Sequence, residues 1–150
     1  MRRSFFFVLS VISLLLIVTN VAAQTKVIQG NSKYGNVLYN FDGQYLRSGS
    51  SEYSDAICNW DGQYIRKGNS KYGTILYNFD GKNLRKGDSK YGKVLYYWDG
   101  KNIRQGNNQY GEILYNFDGI NVRSGHNQYS QILCNISGTL PTAILIFILM

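Results

Sequence analysis

Apolar and polar positions alternate along this chain in short bursts, and the bursts return every 19 residues. In the stretch from Gly92 to Tyr110, the run Val94-Leu95-Tyr96-Tyr97-Trp98 stops at Asp99-Gly100, and a second short run, Asn102-Ile103-Arg104, begins at once. Strand-forming residues flanking Asp-Gly are the sequence pattern of a β-hairpin, because a type I′ turn needs positive φ at both central residues. Centring that turn on Asp99 and Gly100 pairs Trp98 with Lys101 and Tyr96 with Ile103. Directly opposed residues share a face. Val94, Tyr96, Trp98 and Ile103 therefore form the expected core side, and Leu95, Tyr97, Asn102 and Arg104 the outer side. The polar segment Gly106-Asn107-Asn108-Gln109-Tyr110-Gly111 has the composition of a connecting loop.

Six copies of this unit run from about Gly30 to Gly138. Gly43, Gly62, Gly81, Gly100, Gly119 and Gly138 form one comb, and the loop residues Tyr34, Tyr53, Tyr72, Tyr91, Tyr110 and Tyr129 form another. A short fixed period means one supersecondary unit whose neighbours complete a core that none builds alone. The expected fold is all-β: six 19-residue hairpins in an up-and-down meander, rolled into a closed, ring-like sheet. Closure is suggested by the two ends. Lys26 to Gly30 match the second strand of a unit and Ile132 to Ile136 the first, so pairing them removes both sheet edges. A β-solenoid is the alternative. An outer-membrane barrel is disfavoured, since such strands need about 9–11 residues.

The run Tyr-Gly-x-[Ile/Val]-Leu-Tyr-Asn-[Phe/Trp]-Asp-Gly-x-x-[Leu/Ile]-Arg, clearest at Tyr72 to Arg85 and Tyr91 to Arg104, resembles the repeats of bacterial exported β-repeat proteins and, more distantly, the fourfold β-flower group. The resemblance implies an all-β repeat. It implies no activity.

Residues 1–23 have the form of a secretory signal peptide: Arg2 and Arg3, an apolar run from Phe5 to Val18, then small residues ending at Ala23. The repeat domain is expected over 24–139, followed by an apolar C-terminal strand or tail over 140–150. That last segment, rich in isoleucine, is too short to span a bilayer as a helix. It is expected to act as a plugging strand, with a membrane-associating tail or a subunit-joining strand as alternatives. The whole chain has 16 basic and 9 acidic residues, and loss of Arg2 and Arg3 leaves a moderately basic domain, which favours anionic partners.

Five arginines recur at the repeat period: Arg47, Arg66, Arg85, Arg104 and Arg123. Free, they would form a cationic ladder for carboxylates or phosphates. Pairing with the turn aspartates Asp42, Asp61, Asp80, Asp99 and Asp118 is the preferred expectation, because the two sets match in number and spacing. For the loop tyrosines, packing between hairpins is preferred over stacking on sugar rings or bases. Tyr45, Tyr64 and Tyr97, which vary between units, are the expected solvent-facing contacts. Cys58 and Cys134 replace core tyrosines in units two and six. In an exported chain a disulfide is the first hypothesis, one that a flat sheet would forbid by holding the pair tens of ångströms apart, but two buried free thiols substituting for tyrosines are preferred.

Catalysis finds no support. His126 is the single histidine and lies in a loop, and two separated cysteines with one histidine do not make a zinc spacing. No catalytic residue, metal or cofactor is expected, and no specific nucleic-acid partner. The functional expectation is an exported, non-enzymatic repeat protein, periplasmic, cell-surface or secreted. It would bind or organise anionic polysaccharide or another envelope component, touching membrane only through its leader or tail. The alternative is a subunit that self-associates through the apolar C-terminal strand.

Overall fold

The computed structural model describes residues 24–150, so the signal peptide expected over 1–23 lies outside the described residues. Twelve antiparallel strands form one closed up-and-down barrel. They are β1 (Thr25–Gln29), β2 (Val37–Phe41), β3 (Tyr45–Ser48), β4 (Ala56–Trp60), β5 (Tyr64–Lys67), β6 (Ile75–Phe79), β7 (Asn83–Lys86), β8 (Val94–Trp98), β9 (Asn102–Gln105), β10 (Ile113–Phe117), β11 (Asn121–Ser124) and β12 (Ile132–Ser137). The barrel closes as the sequence suggests: Val27 of β1 faces Ile136 of β12, and Gln29 faces Cys134. The sixth hairpin is thus divided between the two ends of the repeat region, and the solenoid alternative is excluded. Each junction between repeats carries a register shift, for example between Leu84 and Arg85 where β7 meets β8. Such bulges add local twist and bend, which helps a short-stranded sheet curl shut.

The faces are as expected, but the register is not. Trp98 pairs with Ile103 and Tyr97 with Arg104, a displacement of two residues from the predicted pairing. The turn begins at Asp99, not at Trp98. Gly100 is its first central residue, with φ +99°, and no non-glycine residue takes positive φ among the described residues. This is the II′ arrangement, with glycine first. Aspartate prefers the preceding position because its carboxylate can accept there: Asp99 Oδ1 takes the backbone N–H of Lys101 at 3.0 Å and of Asn102 at 2.7 Å. A displacement of two leaves every side chain on its own face. Tyr96, Trp98 and Ile103 therefore still share the inner side, whereas Val94, beyond the bulge, pairs with the outward-facing Arg85 and leaves the expected core set.

The C-terminal segment corrects a second expectation. It is a helix, α1 (Thr142–Leu149), and not a strand. Ala143, Ile144, Leu145 and Ile146 are buried in one cluster with the inward residues Leu46, Cys58, Ile65, Leu84, Ile103, Val122 and Cys134. A closed ring offers no edge for another strand, whereas a helix satisfies its own backbone and can be apolar all round. Twelve strands about 4.8 Å apart enclose a ring at least about 18 Å across, and a helix with its side chains needs about 10–12 Å. One helix on the axis fills the lumen. The Tyr115 hydroxyl donates to the Leu149 carbonyl at 2.9 Å, and the Tyr77 and Phe147 rings meet at 5.9 Å between centroids. A C-terminal strand free to join other subunits is therefore not part of this fold. No helix among the described residues is long and apolar enough to cross a membrane.

Up-and-down winding places the Asp-Gly turns at one end of the barrel and the inter-repeat loops at the other. This segregation positions everything that follows.

Candidate functional site

At the turn end the arginines are spoken for. Each binds the aspartate of its own hairpin: Arg47 to Asp42 at 2.6 Å, Arg85 to Asp80 at 2.6 Å, Arg104 to Asp99 at 2.8 Å, Arg123 to Asp118 at 2.7 Å, and Arg66 to Asp61. Burial opposes ionisation of these carboxylates, but donated hydrogen bonds outweigh it. At Asp99 the backbone N–H of Asn102 and the Arg104 guanidinium, helped by the Asn102 amide and the Lys101 N–H, bring the pKa to about 2. The other four aspartates are also held below the ordinary carboxylate range by the same kinds of bond. The comb of arginines is thus a set of turn clasps, as the preferred sequence reading has it. It is not a free ladder for a ligand.

The two expectations about tyrosine are reversed. Tyr45 and Tyr64 are half-buried and lie under guanidinium groups, Arg47 at 5.2 Å and Arg66 at 5.1 Å from the ring centroids, so they brace the clasps. Tyr97 is half-buried on the outer sheet face. The loop tyrosines, expected to pack between hairpins, instead stand in solvent: Tyr34, Tyr53, Tyr72, Tyr91, Tyr110 and Tyr129 are 85–90% exposed. Aromatic character is usually a reason to expect burial. Here the inter-repeat loops stand clear of one another, and no neighbour covers the rings.

These rings are held in place from below. Each loop starts with a glycine in the left-handed region, such as Gly87 at φ +74°, and turns back through a bond like Gly92 N–H to the Ser89 carbonyl at 2.9 Å. The Ser89 hydroxyl accepts the backbone N–H of Tyr91 at 3.2 Å, and Ser32, Ser51 and Ser70 do the same for Tyr34, Tyr53 and Tyr72. Asn108 and Asn127 replace the serines at Tyr110 and Tyr129. The glycine after the tyrosine is required by close approach in unit three, where a Cβ on Gly73 would lie 2.6 Å from the Lys67 carbonyl oxygen.

A comb that sequence reasoning missed completes the support. Asn40, Asn59, Asn78, Asn116 and Asn135 are buried on the outer face of the barrel. The Asn78 amide donates to the carbonyls of Gly87 at 2.7 Å and Ser89 at 3.2 Å, clamping the loop that carries Tyr91. Asn40, Asn59, Asn116 and Asn135 make the same pair of bonds to their loops. The available signal was asparagine at period 19 inside apolar runs, where a strand disfavours it. Unit four has Tyr97 at this position, and its loop is held instead by Arg104, which donates to the Gly111 carbonyl at 3.0 Å.

Cation placement divides the loops. Lys33, Lys71 and Lys90 lie 5.0 Å from the ring centroids of the tyrosines that follow them. In the loop between β3 and β4 the neighbour of Tyr53 is Glu52, which pushes that phenol's pKa up. The loop end is therefore a rim of fixed aromatic faces, some carrying an ammonium group alongside.

Cys58 and Cys134 are free and buried, so the disulfide alternative does not hold. Four strand steps separate β4 from β12 round the closed sheet. At about 4.8 Å per step, their chord across the ring is about 16 Å, well beyond the roughly 7 Å limit for a bridge. Burial pushes the thiols up to about 12 and about 11.

Comparison with curated proteins and with solved structures gave no match. A profile described as 6-fold beta flower protein matches residues 20–145, a span that takes in the barrel and the first half of the helix that fills it. The symmetry is sixfold where the sequence resemblance pointed to a fourfold group. With six hairpin repeats closed on themselves and a matching profile over most of its length, the chain belongs to the 6-fold beta flower family.

Proposed function

We propose that this protein is an exported, non-enzymatic module of the cell envelope that binds anionic glycan through the loop end of its barrel. The observation that carries the reading is the rim of six tyrosines, each 85–90% exposed and each fixed by hydrogen bonds at its own backbone. Exposed aromatic faces lose hydration favourably when they stack on planar or weakly polar ligand surfaces, and fixing them beforehand lowers the entropic cost of binding. The lysines beside three of the rings favour a ligand with negative charge.

Export is supported by the leader pattern of residues 1–23. The non-enzymatic reading is supported by where the reactive groups lie. Both thiols are buried and protonated at neutral pH, and the five turn aspartates are engaged by arginine. A pull-down of the purified protein on immobilised acidic polysaccharide, lipopolysaccharide, neutral polysaccharide and DNA tests the proposal. Retention on an acidic glycan that weakens as salt rises is expected. Failure to bind any glycan at low salt would overturn it.

A further inference from the structure

The six loops are alike in shape and unlike in charge. The loop between β5 and β6 carries Lys67 and Lys71 around Tyr72, with no acidic residue. The adjoining loop between β7 and β8 carries Lys86, Lys90 and Lys93 around Tyr91, with Asp88 as its one acid. All five ammonium groups belong to exposed residues. Elsewhere the positive charge is weaker or reversed: Lys33 alone stands beside Tyr34, Glu52 and Asp55 flank Tyr53, Glu112 follows Tyr110, and the loop of Tyr129 has no lysine.

We infer that these two adjoining loops form the sector that recognises the acidic groups of the ligand, and that the ligand is an oligomeric glycan with spaced carboxylate or sulfate groups. This rests on the loop end being the glycan-binding surface. Three features select that class. Adjacent loops are two strand spacings apart, about 10 Å, so a ligand that engages Tyr72 and Tyr91 together must be longer than a single sugar ring. The cations of the sector are lysines, which act as point charges, while the forked arginines that grip phosphate in a bidentate way are all engaged by the turn aspartates. A densely charged phosphate polymer running on round the rim would also meet Glu52, Asp55 and Glu112. An acidic glycan can place its charged groups against the lysines and its ring faces against the tyrosines.

The test is calorimetric titration of the purified protein with polygalacturonate, galacturonic acid, dextran and oligo(dT), at low and at physiological salt. Polygalacturonate is expected to bind, less tightly at physiological salt, with the monomer and dextran far weaker. The double variant Lys71→Gln/Lys90→Gln should lose about tenfold in affinity for polygalacturonate. The charge-matched pair Lys82→Gln/Lys101→Gln, on Asp-Gly turns outside the sector of Tyr72 and Tyr91, should cost far less. Tyr72→Ala/Tyr91→Ala should cost more than Tyr110→Ala/Tyr129→Ala. Equal losses from the two lysine pairs, or from the two tyrosine pairs, would overturn the sector while leaving the loop-end reading standing. Tighter binding of oligo(dT) than of polygalacturonate would overturn the glycan assignment. Absence of binding to every polysaccharide would overturn the proposed function and this inference with it.

Discussion

Replacing Asn78 by alanine removes the clamp that holds the loop of Tyr91 to the barrel. The residue is 5% exposed, and its amide donates to two backbone carbonyls, Gly87 at 2.7 Å and Ser89 at 3.2 Å. A net hydrogen bond contributes about 1 kcal/mol, and the stranded carbonyls add part of their own desolvation penalty. The expected loss is about 2 kcal/mol, or roughly 6–10 °C in Tm for a domain of this size. Asn78→Asp should be worse, because the isosteric carboxylate keeps the volume but faces the same two carbonyls with no donor. Urea denaturation followed by circular dichroism measures both. The reverse experiment uses unit four, where Tyr97 stands at the clamp position: Tyr97→Asn restores the donor and should stabilise by up to about 1 kcal/mol. A change below about 0.5 kcal/mol for Asn78→Ala, within the range of ordinary surface substitutions, would refute the view that these asparagines anchor the loops.

The remaining expectations concern the lumen, the thiols and acid. Leu145→Ala, on the plugging helix and 1% exposed, should cost about 2–5 kcal/mol as a large-to-small core change, read by the same urea titration. Cys58 and Cys134 should resist a thiol reagent in the native protein, both react once it is unfolded, and the intact mass should show two free thiols. Because the turn aspartates are held below their unfolded pKa, their contribution is fully present above about pH 4. It is lost as pH falls toward the folded values, about 2 at Asp99 and also depressed at Asp80 and Asp118. Tm measured against pH should therefore stay level above pH about 4 and drop below it.

The repeat, the strands and their closure could be read from the chain because glycine, tyrosine and aspartate mark the same steps of every unit, and because a half-unit stands at each end. The two faces were legible for a more forgiving reason: a two-residue error in register returns each side chain to its own side. The register is not legible in the same way, because Asp-Gly is compatible with the centre of a turn, whereas the carboxylate of Asp99 accepts two N–H groups only from the position before it. The helix was hidden by its isoleucines, whose strand preference counts for little when a closed sheet has no strand left to offer. The exposed tyrosines were obscured by the general tendency of aromatics to be buried. Their support is hidden because the partners of an asparagine within an apolar strand are backbone carbonyls, which no side-chain pattern marks. Only the folded chain shows that Asn78 reaches a loop nine and eleven residues further on.

The claim on which the rest depends is that the hairpins turn one set of tyrosines to water and another to the lumen. Nitration of the native protein with tetranitromethane, followed by peptide mass mapping, tests it most directly. Modification should concentrate at Tyr34, Tyr53, Tyr72, Tyr91, Tyr110 and Tyr129, with Tyr39, Tyr77, Tyr96 and Tyr115, packed against the core, largely spared. Protection of the first group, or equal modification of both, would contradict the account.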